Sequence, residues 1–154
     1  MAVDFNACAV ALAVRFAAAA ITPPSGERDI VLSTSALPQD IVQEPTVLVF
    51  PPGPDDIDFR FWSMSRGGTI VFPVRFYLWR IRDNARNATL CLKWLGPLYA
   101  QLDAEVHLGQ ENAGVQYAVI RNMGIGRLTY GDGEFDGITL DAEVHIAEAL
   151  NPSN

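Results

Sequence analysis

Three groups of residues could in principle do chemistry in this chain. The first is "GDGEFDGITLDAE", Gly131 to Glu143, where Asp132, Glu134 and Asp136 take positions 1, 3 and 5 of a calcium loop, Gly137 takes 6 and Glu143 takes 12. Hard oxygen ligands at that spacing can cage Ca²⁺, with the glycine allowing the sharp turn. The second is the carboxylate cluster Asp55, Asp56 and Asp58, which a hydrolase could use with a metal. The third is the arginine series Arg60, Arg66, Arg80, Arg82 and Arg86, a possible phosphate contact.

The elements around each group decide against chemistry. A calcium loop of this type needs a helix on both sides. Here "GIGRLTY" reads extended before the loop, and Ile138, Leu140, Ala142, Val144 and Ile146 alternate with polar residues after it, which is a strand with one buried face. Glu143 then falls mid-strand, and "GDGEFDG" reads as a hairpin turn with its acidic residues in water. The Asp55–Asp58 cluster follows prolines and has no metal-binding companions, so it reads as solvated charge. The arginines fit an interface as well as a phosphate. Gly124 and Gly126 lack the third glycine and helix of a dinucleotide loop. His107 and His145 have no recognisable nucleophile context and read as surface histidines. No catalytic set, metal site or cofactor site emerges, and the chain reads as a protein that is not an enzyme.

Composition sets the frame. The 154 residues are 49% hydrophobic and 19% charged, with a formal net charge of -7. Such a chain packs one core, expected over residues 1–150 with a disordered tail at 151–154. Its acidity disfavours wrapping nucleic acid. Cys8 and Cys91 lie in apolar stretches and read as small buried hydrophobes. The N-terminal "ACAVALAVRFAAAAI" lacks a basic n-region and carries Arg15, so it reads as a helix instead of a cleaved signal. The apolar run is too short for a membrane span. The sequon Asn87-Ala88-Thr89 lies in an expected helix and is set aside.

The expected fold is α+β: a mainly antiparallel sheet with a long β-hairpin, an N-terminal alanine-rich helix, and a second, broken helix packed on the sheet. The first helix spans 4–20, with Phe5, Leu12 and Phe16 on one face and Val3, Val10, Val14 and Ile21 on another; two apolar faces imply more than one packing partner. Short strands follow at Asp29–Ser33 and 46–50. Ile57–Met64 and Thr69–Ile81 form the hairpin through the loop "SRGG", pairing Met64 with Thr69 and Asp58 with Arg75. Asp83 caps the second helix, which Gly96-Pro97 splits into 84–95 and 97–104. A strand at 115–121 and a turn at Met123–Gly126 precede the last strand pair. On the 69–81 strand, Val71, Pro73, Tyr77, Trp79 and Ile81 face away from Ile70, Phe72, Val74, Phe76 and Leu78. Both faces being apolar implies a cover on each: a second chain is the economical cover for one of them, and the alternative is that the first helix covers one face and the second helix the other. Pro73 places that part of the strand at an edge or bulge.

The order of an alanine-rich helix, "VLVFPP", a long hairpin, a helix closing in "LKWLGP" and strands ending "YGDGEFDGITLDAEVHI" resembles the tail terminator (tail completion) proteins of long-tailed bacteriophages, the group that includes the minor tail protein U of phage lambda. The resemblance runs over roughly residues 4–148, in diffuse patterns of size and spacing. The segment "WLGPLYAQLDAEV" is more apolar than the family's usual one. The resemblance implies a virion structural protein at the head-proximal end of the tail, assembled in the host cytoplasm. Such a protein forms a homohexameric ring that caps the tail tube, stops its elongation and presents a surface to the head or neck. Its partners would be copies of itself, the tail tube protein and a head–tail connector or neck protein, with DNA passing through the lumen without specific binding. The candidate subunit and partner contacts are Arg60, Trp62, Arg66, Val71, Arg75, Tyr77 and Trp79. The candidate lumen residues are Asp55, Asp56, Asp58, Asp132, Glu134 and Asp136. The nearest alternative is a head-closure or other neck or tail ring protein; a secreted α+β ligand-binding module is a more distant one.

Overall fold

A computed structural model describes residues 3–18, 20–62, 65–81, 91–101 and 106–149. The chain is α+β, and the described residues form a mixed sheet of six strands and two α-helices. Helix α1 (Phe5–Arg15) begins where the Asp4 side chain accepts the Ala7 N–H at 3.0 Å, a capping contact that satisfies one of the free donors at the helix start. It is followed by β1 (Leu32–Thr34), β2 (Thr46–Val49), β3 (Ile57–Trp62), β4 (Ser65–Arg80), α2 (Leu92–Tyr99), β5 (Val115–Tyr130) and β6 (Gly133–Ala149). The strand order is β1-β2-β4-β6-β5, with β3 also paired to β4. Only β1 and β2 run parallel.

Strand β4 is the axis. One edge pairs with β6 along nearly its whole length, while the other serves β3 first (Ser65–Ile70) and then β2 (Val74–Tyr77). Pro73 sits where that second edge passes from one partner to the other, and its carbonyl accepts the Phe50 N–H at 2.8 Å. A residue's N–H and C=O point the same way in an antiparallel strand, so the donor that proline lacks falls at the end of the β2 pairing, where the ladder stops.

Both helices pack on one face of the sheet. Leu12, Phe16, Trp94 and Leu98 meet Phe72, Val74, Phe76, Leu140 and Val144 in one buried cluster. Phe16 sets its edge against Phe76, with ring centroids 5.3 Å apart. The opposite face carries a smaller cluster, in which Ile41, Leu48, Tyr77 and Phe135 are buried beneath Phe50, Leu128 and Tyr130. Its cover comes from the loop between β1 and β2, which the Tyr130 hydroxyl ties down by donating to the Pro38 carbonyl.

Several expectations shift. Trp62 pairs with Ser65, so "SRGG" belongs to β4; Phe59 faces Gly68, and Asp58 faces Thr69 instead of Arg75. Gly68 serves close approach, not a loop: a Cβ there, where φ is 142°, would lie 1.9 Å from the Asp58 carbonyl oxygen. Helix α1 is shorter than 4–20. Pro97 sits inside α2, where Trp94 and Leu98, both fully buried, anchor the helix on either side of it. The Met123–Gly126 turn is a β-bulge within a 16-residue strand, with Asn122 at φ 55°. Asp83, residues 102–104 and 151–154 lie outside the described residues, as do Asn87 to Thr89.

Candidate assembly surface

Pairing and parity place each candidate side chain. Strand β4 carries a bulge between Tyr77 and Trp79: Tyr77 faces Gly137, and Trp79 faces Asp136. An extra residue in one strand reverses the facing of everything beyond it. Trp79 therefore joins Leu78 in the helix-covered cluster, 8% exposed, while Tyr77 is 2% exposed in the smaller cluster. Both are buried by their own chain, so the sheet's second face is not bare at this end. Val71 and Arg75 are half-buried, and the Arg75 guanidinium donates to the Val74 carbonyl at 3.2 Å. Beyond them the face is polar. Glu143 accepts from His145 Nε2 at 2.6 Å and faces Arg121 at 3.6 Å, while Tyr117 stacks on the imidazole at 4.2 Å.

Arg66 is engaged inside the chain by Glu148, whose other oxygen accepts the Val3 N–H at 2.8 Å. Arg60 is exposed and faces Asp58 at 3.6 Å. Of Trp62, only the backbone pairing with Ser65 is described.

The six acidic candidates separate. Asp55, Asp58, Asp132 and Glu134 are exposed, and Asp56 is half-buried with its carboxylate accepting the Gly53 N–H at 2.7 Å. Asp136 does not sit in water: it is 5% exposed on the helix-bearing face, the face of Ile138 and Leu140. Its negative charge adds to what burial does at Cys91, whose thiol is pushed up to about 11. Burial likewise pushes the Cys8 thiol up to about 11, although Gln110 donates to its sulfur at 3.0 Å. Both cysteines are free and buried. Among the described residues, no three His, Cys, Asp or Glu side chains gather as a metal site, and no helix is long and apolar enough to cross a membrane.

Uncovered apolar side chains gather elsewhere. Val10 and Val14, one turn apart on α1, stand in water, as do Leu92 and Tyr99 on α2. Val31, Leu32, Leu37 and Val42 form a second group along β1 and the loop after it, with Val42 84% exposed. Val31, Leu32 and Val42 border a groove of about 350 Å³ that also touches Ile41 and Pro38. Ile57, Phe59 and Phe61 on β3 form the third group, with Phe61 72% exposed and Phe59 stacked on Phe5 at 5.6 Å. The β3 group was hidden in the sequence because the four-residue loop turned its side chains onto Phe72, Val74 and Phe76. Of the second apolar face expected on α1, Val10 and Val14 are exposed, whereas Val3 and Ile21 lie outside the helix and are buried. No protein-family profile, curated protein or solved structure matches this chain.

Proposed function

We propose that this chain is a ring-forming subunit of a phage tail terminator, a virion structural protein that caps the tail tube, stops its elongation and offers the head or neck a docking surface. The observation that carries the reading is the second apolar face of α1: Val10 and Val14 remain in water after the fold is complete. The β1 margin, with Val31, Leu32, Leu37 and Val42, offers a different apolar surface. A closed ring joins unlike patches head to tail, so each subunit must carry two of them. The α1 stripe and the β1 margin meet that need, and an interface burying on the order of 1,600 Å² would hold them together. The long-range resemblance in element order supplies the position in the virion. The work would be done by shape and edge complementarity, with the tube protein and a neck protein as partners, and the exposed carboxylates Asp55, Asp132 and Glu134 suit a lumen through which DNA slides.

The test is electron microscopy of the purified chain beside Val14→Asp. Rings with a central opening are expected for the first and separate, folded subunits for the second. Rings unchanged by the substitution would remove α1 from the interface, and no rings in either would remove the reading.

A further inference from the structure

We infer that β3 is a self-complementary edge at which a second copy of this chain docks, the two strands running antiparallel about a two-fold axis through Phe59. The contact is separate from the ring surfaces and does not rest on them. It would join two subunits, or two rings face to face.

Strand β3 pairs with β4 alone, leaving its other edge without a partner strand among the described residues. The hydrogen bond from the Val71 N–H to the Asp56 carbonyl, 2.8 Å, sets the phase of the ladder. In antiparallel pairing alternate residues turn their N–H and C=O toward the same neighbour. Asp56, Asp58 and Arg60 therefore point theirs at β4, while Ile57, Phe59 and Phe61 point theirs outward. An edge of this kind is a template for another strand.

The side chains select the partner. Ile57, Phe59 and Phe61 lie on the helix-bearing face and are exposed; Asp58 and Arg60 lie on the other face and are exposed too. With two copies centred on Phe59, Phe59 meets the second copy's Phe59 and Ile57 meets its Phe61, each pair exchanging both backbone hydrogen bonds, for about six in all. Asp58 then meets the second copy's Arg60, twice, at the pairs where side chains approach most closely. Four other arrangements set like charges together. Parallel pairing sets Asp58 against Asp58 and Arg60 against Arg60. Centring on Ile57 sets Asp58 against Asp56. Centring on Asp58 sets Asp58 against Asp58, and centring on Arg60 sets Arg60 against Arg60, each at a closely approaching pair. A charge guard against pairing would carry one sign; here the signs alternate so that a copy neutralises them.

The test uses Asp58→Arg and Arg60→Asp, both at exposed positions, with far-UV circular dichroism to check folding and sedimentation velocity to read association. Each variant alone places like charges opposite one another and should lose the two-fold step, weakening it at least tenfold. An equimolar mixture should restore it, because each chain then faces only opposite charge, and the double variant D58R/R60D should associate as the unaltered chain does. Association unchanged by either reversal, or a mixture that stays apart, overturns the proposal. The ring reading is scored separately: rings that ignore both reversals would sink the two-fold contact alone, and a dimer split by the reversals without any larger species would sink the ring alone.

Discussion

Glu148 and Arg66 close an ion pair across 82 positions of chain, fastening the end of β6 to the start of β4. The second Glu148 oxygen holds the Val3 N–H, so one carboxylate gathers the N-terminus, β4 and β6. Glu148→Ala should remove a largely buried acceptor of two donors and cost about 1–3 kcal/mol. Denaturant unfolding measures it, and an unchanged midpoint would mean that these contacts contribute nothing net.

Two glycines paired across β5 and β6 should answer alanine in opposite ways. On Gly137 a Cβ would lie 1.9 Å from the Phe76 carbonyl oxygen and 2.8 Å from Leu128, whereas on Gly126, its cross-strand partner, it would meet nothing within 4 Å. Gly137→Ala must push β6 away from β4 and should cost about 1–3 kcal/mol or more. Gly126→Ala should change stability by less than about 0.5 kcal/mol. Equal effects would contradict the register between these strands.

Much of this architecture was legible in residue patterns, and the exceptions share a cause. The alternation from Ile138 to Ile146 fixed the buried face of β6, and Leu12 with Phe16 fixed that of α1, because burial imposes a period. Register and parity were less legible. The glycines of "SRGG" look like a loop, yet both lie in β4 and Gly68 permits backbone contact across the ladder. The bulge that turns Trp79 inward leaves no mark in composition. Tyr77 read as an open face because its cover, Ile41, comes from a loop without periodicity. The bulge thus misplaced Trp79, the loop cover misplaced Tyr77, and a register shifted along β4, with Phe61 opposite Arg66 instead of Phe72, hid Phe59 and Phe61.

Stability should fall on the alkaline side. The thiols of Cys8 and Cys91 move from the usual value near 9 to about 11, chiefly through burial, and the Tyr77 hydroxyl moves from 10 to about 12 for the same reason. Between the unfolded and folded values the unfolded chain binds fewer protons, so raising pH favours unfolding. The contribution is full below pH 9 and is lost as pH rises through 11 for the thiols and 12 for the phenol. Melting temperature should decline steadily from pH 9 upward, and less steeply from 9 to 11 in the double variant Cys8→Ala/Cys91→Ala. A flat profile to pH 11 would contradict the burial of these groups.

Calcium should leave the protein unchanged. Glu143, which a calcium loop would need at its closing position, is fixed in mid-strand between His145 and Arg121, and Asp136 lies on the buried face of the sheet. Millimolar Ca²⁺ should shift the melting temperature by less than one degree, roughly the scatter of such scans. A saturable rise would require the β5–β6 turn to open into a cage.

The central claim is that apolar surface left on α1 and β1 by a completed fold is covered by further copies of the same chain. Its most direct test is the mass of the purified protein in solution, by sedimentation equilibrium or light scattering over a range of concentrations. The account predicts a closed oligomer several times the 16.8 kDa of one chain, six-fold for a tail terminator ring. A species of 16.8 kDa that persists to the highest concentration would contradict it.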